Sequence, residues 1–188
     1  MSGVPNELTE DVEALARSLR AQVSGFLLAL SDVAAGAEPE FALSVLMLET
    51  SQLSLAGGRL AALADVELDE DFEADPGPDT DLDAMREGLR RLLGEVDVYV
   101  DVVDPVQPER GTIVCRVSDE LAVVAADLLH GLRHYEDGRV VEALWWWQFS
   151  YLATWGSSLT SAMRVVQSLV AHTRLDAERP VTTARTMA

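Results

Sequence analysis

Apolar residues recur every three or four positions along most of the chain, and this spacing predicts helices. The first stripe predicts one long helix from about residue 7 to residue 35. Its apolar positions are Leu8, Val12, Leu15, Leu19, Val23, Phe26, Leu30 and Val33. A second helix is expected from near Pro39 to about Asp65. Two long neighbouring helices imply an antiparallel hairpin.

Three further helical segments are predicted, at about 82–94, 118–138 and 139–175, with Gly156 as the place for a bend in the last one. Residues 112–117 are rich in β-branched side chains and favour an extended conformation, but a lone strand makes no sheet. We therefore expect an all-α fold, a helical bundle of about five to six helices built from antiparallel hairpins. It would form a single domain over residues 7–175, followed by a disordered tail at 176–188.

An acidic stretch separates the second and third predicted helices. Residues 65–83 carry about ten carboxylates together with Pro76, Gly77 and Pro78. Such a composition cannot bury enough apolar surface to fold alone, so a mobile, solvated loop is expected. The ligand spacing and the glycine of an EF-hand are absent, which argues against a calcium site here.

Composition narrows the classes of function. The chain has 188 residues, of which 48% are hydrophobic, and its 14 basic against 32 acidic residues give a formal net charge of -18. That field repels phosphate backbones, so direct nucleic-acid binding is not expected. The acidity serves either solubility or the docking of a basic protein. Cys115 is the single cysteine, and no export signal or membrane span is recognisable, which predicts a cytoplasmic protein.

Asp127, His130 and His134 fall on one face of the fourth predicted helix, in a spacing that could hold a divalent metal. This face is opposite the stripe that contains Leu121 and Leu128, so it is expected to be exposed to water. Without a fourth ligand the two histidines are interpreted as surface residues. No metal and no other cofactor is therefore predicted.

The second helix carries two unusual features. Glu49 shares a stripe with Leu46 and Leu53, where a carboxylate would be partly desolvated and would need a partner. Arg116, Arg133 or Gln148 could supply it, and Glu49 is then either a structural contact or a ligand-binding group. Gly57 and Gly58 each weaken the helix, which indicates close helix packing or a ligand that approaches the backbone.

Three consecutive tryptophans, Trp145, Trp146 and Trp147, point about 100° apart in a helix, so no single core face can hold all of them. Trp145 is placed on the main stripe with Phe149, Leu152 and Trp155. Trp147 is placed on a second flank with Tyr151. Trp146 is left on a third side, where it lies under a loop or marks a contact surface. Burial of an exposed Trp146 in a twofold contact would predict a homodimer.

Residues 131–144, which read GLRHYEDGRVVEAL, are followed by WWWQFSY at 145–151 and Trp155-Gly156. Together with 48–53 and 56–60, these motifs resemble a bacterial helical family known only as a domain of unknown function. The resemblance covers about residues 8–175 and implies an all-helical fold without an established catalytic residue. Members often have Trp-Glu-Trp-Arg where this chain has Trp145 to Gln148. The turn at 135–139 is also similar to that of one tetratricopeptide unit, which predicts a tight hairpin.

No phosphate-binding loop, nucleophile elbow or metalloprotease motif is present in the sequence. The leading hypothesis is a non-enzymatic protein-interaction or adaptor module whose partner is a protein. The alternative is a small-molecule binder or enzyme with an interhelical pocket, lined by Glu49, Gln52, Arg59 and Gln148 and walled by the tryptophans. The residues selected for a ligand or an interaction are Glu49, Gln52, Arg59, His134, Trp145, Trp146, Trp147, Gln148, Tyr151 and Trp155.

Overall fold

The computed structural model describes residues 4–63, 65–68 and 77–176, with side chains from residue 12 to residue 175 within these ranges. The elements in these ranges are α1 (Val4–Ala34), α2 (Ala42–Ala61), α3 (Asp83–Leu93), β1 (Val98–Val102), β2 (Thr112–Arg116), α4 (Val117–Glu136), α5 (Val140–Ser150) and α6 (Gly156–Asp176). A π-helical turn, Tyr151–Trp155, joins α5 to α6. The predicted helical fold is confirmed.

Helix α4 lies at the centre of the bundle and contacts α1, α3, α5 and α6. Helix α2 packs between α1 and α6 on another side. Their buried apolar stripes follow the predicted helical spacing and form one core. Its largest side chains are Phe26, Leu30, Leu46, Leu53, Leu60, Leu89, Leu121, Leu128, Leu144, Trp147, Trp155 and Leu159. No helix of the described ranges is both long and apolar enough to cross a membrane.

Helix α2 approaches the π-helical turn closely at one glycine. A Cβ atom on Gly57 would collide with the ring of Tyr151 and lie 2.7 Å from Cη2 of Trp155. The close packing predicted for the glycine pair is therefore confirmed at Gly57. At the neighbouring Gly58, a Cβ atom would meet no atom of the described structure within 4 Å.

Strands β1 and β2 form an antiparallel ribbon in which Val100 faces Val114. The expectation that residues 112–117 make no sheet was wrong. The partner strand is the apolar segment just before them, and Gly111, with a φ of 89°, lies in the connection that returns the chain to β2. One face of the ribbon packs on the bundle, and the other leaves Val98, Val100, Val102 and Val114 exposed to solvent.

The predicted bend in the last helix is the π-helical turn, which ends just before Gly156. A Cβ atom on Gly156 would collide with the carbonyl oxygen of Tyr151, so the wide turn requires glycine there. The indole Nε1 of Trp155 donates a hydrogen bond of 3.2 Å to the carbonyl of Trp147. The turn therefore brings Trp155 back to the side of the helix that faces the core.

Both ends of the predicted acidic loop contact the bundle. The backbone N–H of Val66 donates to Oε1 of Gln148 at 2.7 Å, and Arg133 donates to the carbonyl of Gly77 at 3.5 Å and to the hydroxyl of Thr80. Residues 69–76 of this loop, and 177–188 of the predicted tail, lie outside the described residues. The predicted mobility of the loop stays a prediction.

Candidate functional site

An open cleft of about 540 Å³ lies between residues 79–83 and helix α4. This volume is in the range of ordinary ligand pockets. Small side chains of α4 form its floor, and Trp146 of α5 closes one end. The lining residues are Asp79, Thr80, Asp81, Leu82, Asp83, Arg86, Ala122, Val123, Ala126, Asp127, His130 and Trp146.

The aromatic wall of the cleft is held in place by α4. The indole Nε1 of Trp146 donates a hydrogen bond of 2.9 Å to the carbonyl of Asp127. Its ring stacks on His130, with 3.8 Å between the ring centroids and 26° between the planes. Because both the ring face and the N–H of Trp146 have partners in α4, this indole is a fixed wall rather than a free contact residue.

The next tryptophan repeats the arrangement one residue further along, inside the core. Nε1 of Trp147 donates to the carbonyl of Leu128 at 3.1 Å, and the side chain is fully buried. A Cβ atom on Gly131 would collide with this indole, so that glycine makes room for it. Two successive indoles thus bond two successive carbonyls of α4, which sets the position of α5 against α4.

Asp127 is the partly buried carboxylate of the cleft. Burial raises its pKa, and the hydrogen bond from the hydroxyl of Thr154 and the charge of His130 oppose that rise without cancelling it. A cation that enters the cleft would favour the ionised form. The carboxylate is therefore placed where a bound positive charge would stabilise it.

The other side of the cleft is strongly acidic. Asp79, Asp81 and Asp83 are exposed within five residues of one another. Oδ1 of Asp81 also accepts the N–H of Asp83 at 2.9 Å, which fixes the start of α3. Arg86, the one arginine among the described lining residues, is already paired with Asp83 at 2.6 Å and with Asp119 at 3.4 Å. The cleft consequently carries excess negative charge.

Comparison with known proteins identifies the family of the chain. Residues 10–172 match the family model of a domain of unknown function, DUF5063. The chain belongs to the DUF5063 family. The crystal structure of protein BF1032 from Bacteroides fragilis is similar, with a TM-score of 0.65 and 18% sequence identity over 80% of this chain and 89% of that one. At this identity the likeness concerns the fold. No curated protein matches the chain.

The polar residues selected on α2 lie apart from the cleft of this DUF5063 chain. Gln52 and Arg59 are exposed, Glu49 is half-buried, and none of the three is among the described lining residues. These three residues therefore do not contribute to this cleft. Arg59 lines a small crevice against α1, Trp145 and Gln148 line another cavity, and the pocket that the alternative hypothesis described stays a prediction.

The partners suggested for Glu49 are engaged elsewhere. Arg116 pairs with Asp97 at 3.4 Å, and Arg133 holds the segment at 77–80. Gln148 donates to the carbonyl of Leu60 at 3.0 Å. The pairing expected for Glu49 was wrong, because these three side chains instead bind the carboxylate of Asp97, the segment at 77–80 and the carbonyl of Leu60.

His134 was expected on a water-exposed face, and this was wrong. The side chain is fully buried, because α4 is covered by helices on several sides. His130 is half-buried, and its ring lies 5.2 Å from that of His134 in an edge-on arrangement. Within the described ranges, no three acidic, histidine or cysteine side chains are arranged to hold a metal ion.

The assignment of the tryptophans to faces needs a second correction. Phe149 and Leu152, which were placed on the core stripe with Trp145, are exposed, and Trp145 is half-buried with its ring stacked on Phe149 at 5.3 Å. The core positions are Trp147 and Trp155. The prediction assumed 100° per residue throughout, whereas the wider turn at Tyr151–Trp155 changes the phase.

Trp146 was the proposed contact of a homodimer, and its indole is bonded to α4 instead. The physical reason for a dimer through this residue is thereby removed. The homodimer itself stays a prediction that needs another surface.

The sequence reasoning missed the acidic side of the cleft and the role of Asp97. Asp79, Asp81 and Asp83 were interpreted only as loop residues.

The buried carboxylate of Asp97 accepts hydrogen bonds from the N–H and the hydroxyl of Ser118, both at 2.8 Å, and so caps α4 from outside the helix. No local pattern links residues 97 and 118, because their contact depends on the ribbon between them.

A second polar cluster lies under the ribbon. The hydroxyl of Tyr99 donates to Glu120 at 3.1 Å, and Asp101 bonds Ser161 at 2.9 Å and Arg164 at 2.8 Å. Burial and the neighbouring Glu120 raise the pKa of both Tyr99 and Cys115. Burial also tends to raise the pKa of Asp101, but its hydrogen bonds and Arg164 lower it overall. A thiol with a raised pKa is a poor nucleophile, so this cluster anchors the ribbon.

Proposed function

We propose that the protein is a non-enzymatic interaction module that holds a cationic segment of a partner protein in the cleft between residues 79–83 and α4. The observation that carries the proposal is the excess of carboxylates around an aromatic-walled cleft whose one described arginine is already paired. Lysine or arginine side chains of a partner would supply the missing positive charge.

The charge of the whole chain supports the same kind of partner. A net charge of -18 attracts a basic segment from a distance and speeds its encounter with the cleft. At physiological ionic strength this attraction is screened beyond about 8 Å. The long-range field therefore favours basic partners in general, whereas contact with Asp79, Asp81 and Asp127 selects the binding place.

The shape of the cleft fits an extended segment better than an enclosed substrate. It is open to solvent along residues 79–83, and its floor at Ala122 and Ala126 has short side chains that leave room for the stems of long basic residues. The indole N–H of Trp146 is used within the fold, so this wall offers apolar surface.

A second candidate function is a site for a small cationic molecule, including an enzyme that moves a proton. The raised pKa of Asp127 beside His130 favours it, because perturbed carboxylates are common in active sites. A cytoplasmic location is part of either proposal, since the single cysteine provides no disulfide for an oxidising compartment.

The test is isothermal titration with a lysine- and arginine-rich peptide. We expect the double variant Asp79→Asn, Asp81→Asn to weaken binding about five- to tenfold, because each exposed carboxylate contributes modestly. The matched control, Glu95→Gln with Glu109→Gln, removes the same charge from exposed positions elsewhere and should weaken binding less than twofold. Equal losses in both variants would mean that the peptide follows net charge alone and would contradict the proposal.

The pH dependence of peptide binding, measured by the same isothermal titration, gives a second test. A bound cation stabilises ionised Asp127, so the peptide should bind more weakly as pH falls through the raised pKa of this residue. That loss should begin above the usual aspartate value of about 3.9. In Asp127→Asn this part of the pH dependence should vanish. Spermidine that binds as tightly as the peptide would favour the small-molecule alternative.

A further inference from the structure

The outer face of α2 is apolar, and its large side chains remain exposed among the residues that the structure describes. Phe41, at the N-cap, and Leu48 and Leu55 within the helix recur every seven residues, and their side chains are 55%, 57% and 58% exposed. Residues seven apart lie almost directly above one another on a helix, so these three form one row. The row is opposite the buried residues Leu46, Leu53 and Leu60, each 1% exposed.

A row of small residues runs beside the large one. Ser44, Ser51 and Gly58 also recur every seven positions; Ser44 and Gly58 are exposed, whereas Ser51 is half-buried and contacts Met163 of α6 at the edge of the face. Gly57 is explained by the rings of Tyr151 and Trp155, but a Cβ atom on Gly58 would meet no atom of the described structure within 4 Å. A glycine inside a helix is destabilising relative to alanine. A helix of another molecule that packs closely against Gly58 would explain this glycine, because the described contacts do not explain it.

The charge on this face indicates what approaches. Residues 41–62 contain a single carboxylate, Glu49, although the chain has 32 acidic residues. Glu49 lies beside the large row rather than in it. A basic partner would therefore find little negative charge on this face. A second copy of the chain could approach the same face without meeting the repulsion of its remaining acidic surface.

The two ends of the face carry opposite charges. Glu40 lies at its start and Arg59 lies near its end, and both side chains are exposed. In an antiparallel pair of α2 helices, Arg59 of each copy would lie near Glu40 of the other. A parallel pair would bring the two Arg59 side chains together, which is unfavourable.

We propose that two copies of this chain associate through α2 in an antiparallel, twofold contact. The row of Phe41, Leu48 and Leu55 on each helix packs against the row of Ser44, Ser51 and Gly58 on the other. The two helices approach each other most closely at Gly58. A helix of 20 residues is about 30 Å long, and one helix pair buries less than the roughly 800 Å² per partner of a typical stable complex. The dimer is therefore weak, with a Kd of about tens of micromolar, and does not depend on the acidic cleft.

Sedimentation velocity between about 1 and 300 µM at 0.15 M salt tests the association. The unmodified chain should pass from monomer to dimer over this range, and Leu48→Glu should stay monomeric. Leu28→Glu, which adds the same charge at a leucine of α1 that is 65% exposed, should dimerise like the unmodified chain. A monomeric unmodified chain at 300 µM, or a Leu48→Glu variant that dimerises normally, would overturn the proposal.

Gly58→Leu separates association from folding. Leucine favours the helix and meets open space within the chain, so the melting temperature of the monomer at 1 µM should be unchanged or higher. The Kd of the dimer should rise at least tenfold. A lower melting temperature, or an unchanged Kd, would show that Gly58 has another role and would remove the close approach from the proposal.

A charge exchange tests the antiparallel orientation. Arg59→Glu and Glu40→Arg should each weaken association severalfold, and the variant with both changes should return to within about threefold of the original Kd. Failure of the double variant to recover would overturn the antiparallel arrangement, since a parallel pair offers no such compensation.

Discussion

The α4–α5 interface and the β1–β2 ribbon bury different kinds of side chain. In the interface, Trp146 and Trp147 carry polar N–H groups, yet one is half-buried and the other is fully buried. In the ribbon, Val100 and Val114 have no polar side-chain atom and remain exposed, while the polar residue Tyr99 faces the bundle. Hydrophobicity of a residue therefore does not by itself decide its burial in this protein.

Backbone geometry explains the difference. Strand side chains alternate between two faces, so a ribbon that packs one face on helices must leave the other face uncovered. The indoles of α5 instead meet two carbonyls of α4 that can accept a second hydrogen bond, next to a glycine that leaves room. A buried polar group is stable when such a partner is available.

The largest expected effect is at the interface. Trp147→Ala should lower the free energy of unfolding by about 4 kcal/mol, because removal of the buried indole leaves a cavity beside Gly131. Trp145→Ala, at a half-buried position, should cost about 1 kcal/mol. Urea unfolding followed by far-ultraviolet circular dichroism measures both. Equal losses would mean that the interface does not depend on the buried indole.

An intermediate effect is expected where the ribbon meets α4. Asp97→Ala should lower the free energy of unfolding by about 3 kcal/mol, because it removes both hydrogen bonds to Ser118 and leaves a buried N–H unpaired. Ser118→Ala removes only the hydroxyl bond and should cost about 1 kcal/mol. The same urea titration distinguishes them, and a larger loss in Ser118→Ala would contradict the capping role of Asp97.

The smallest effect is expected on the exposed face of the ribbon. Val100→Thr and Val114→Thr should each change the free energy of unfolding by less than about 0.5 kcal/mol, since threonine keeps the β-branched shape and its hydroxyl reaches water. Differential scanning calorimetry at two protein concentrations checks this. A loss above about 1.5 kcal/mol would show that this face is covered in solution.

Periodicity was sufficient to predict the helices and the inner row of α2. Leu46 and Leu53 were placed on a desolvated stripe by their spacing, and they are buried together with Leu60. The same reasoning failed for His134 because the covering of α4 by several helices is a tertiary property. It failed for the ribbon because pairing of β1 with β2 depends on a turn whose glycine has no counterpart in a hydrophobic pattern.

The cleft could be predicted only in fragments. Asp127 and His130 were singled out together with His134 on one face, and Trp146 was singled out by its angle. Their meeting depends on the hydrogen bond between the indole of Trp146 and the carbonyl of Asp127, which no spacing within α4 or α5 encodes. The acidic residues at 79–83 join them through Arg133, which donates to the carbonyl of Gly77 and to the hydroxyl of Thr80.

The position of the four tryptophans has a consequence for spectroscopy. All of them lie between residues 145 and 155, so intrinsic fluorescence excited at the red edge of indole absorption arises from one end of the bundle. Its intensity and emission wavelength report on the contacts of α5 and the π-helical turn with α4 and with the adjacent parts of α1 and α2. A fluorescence titration of this protein is therefore a local measurement, and its agreement with circular dichroism is a direct test of whether the helices unfold as one cooperative unit.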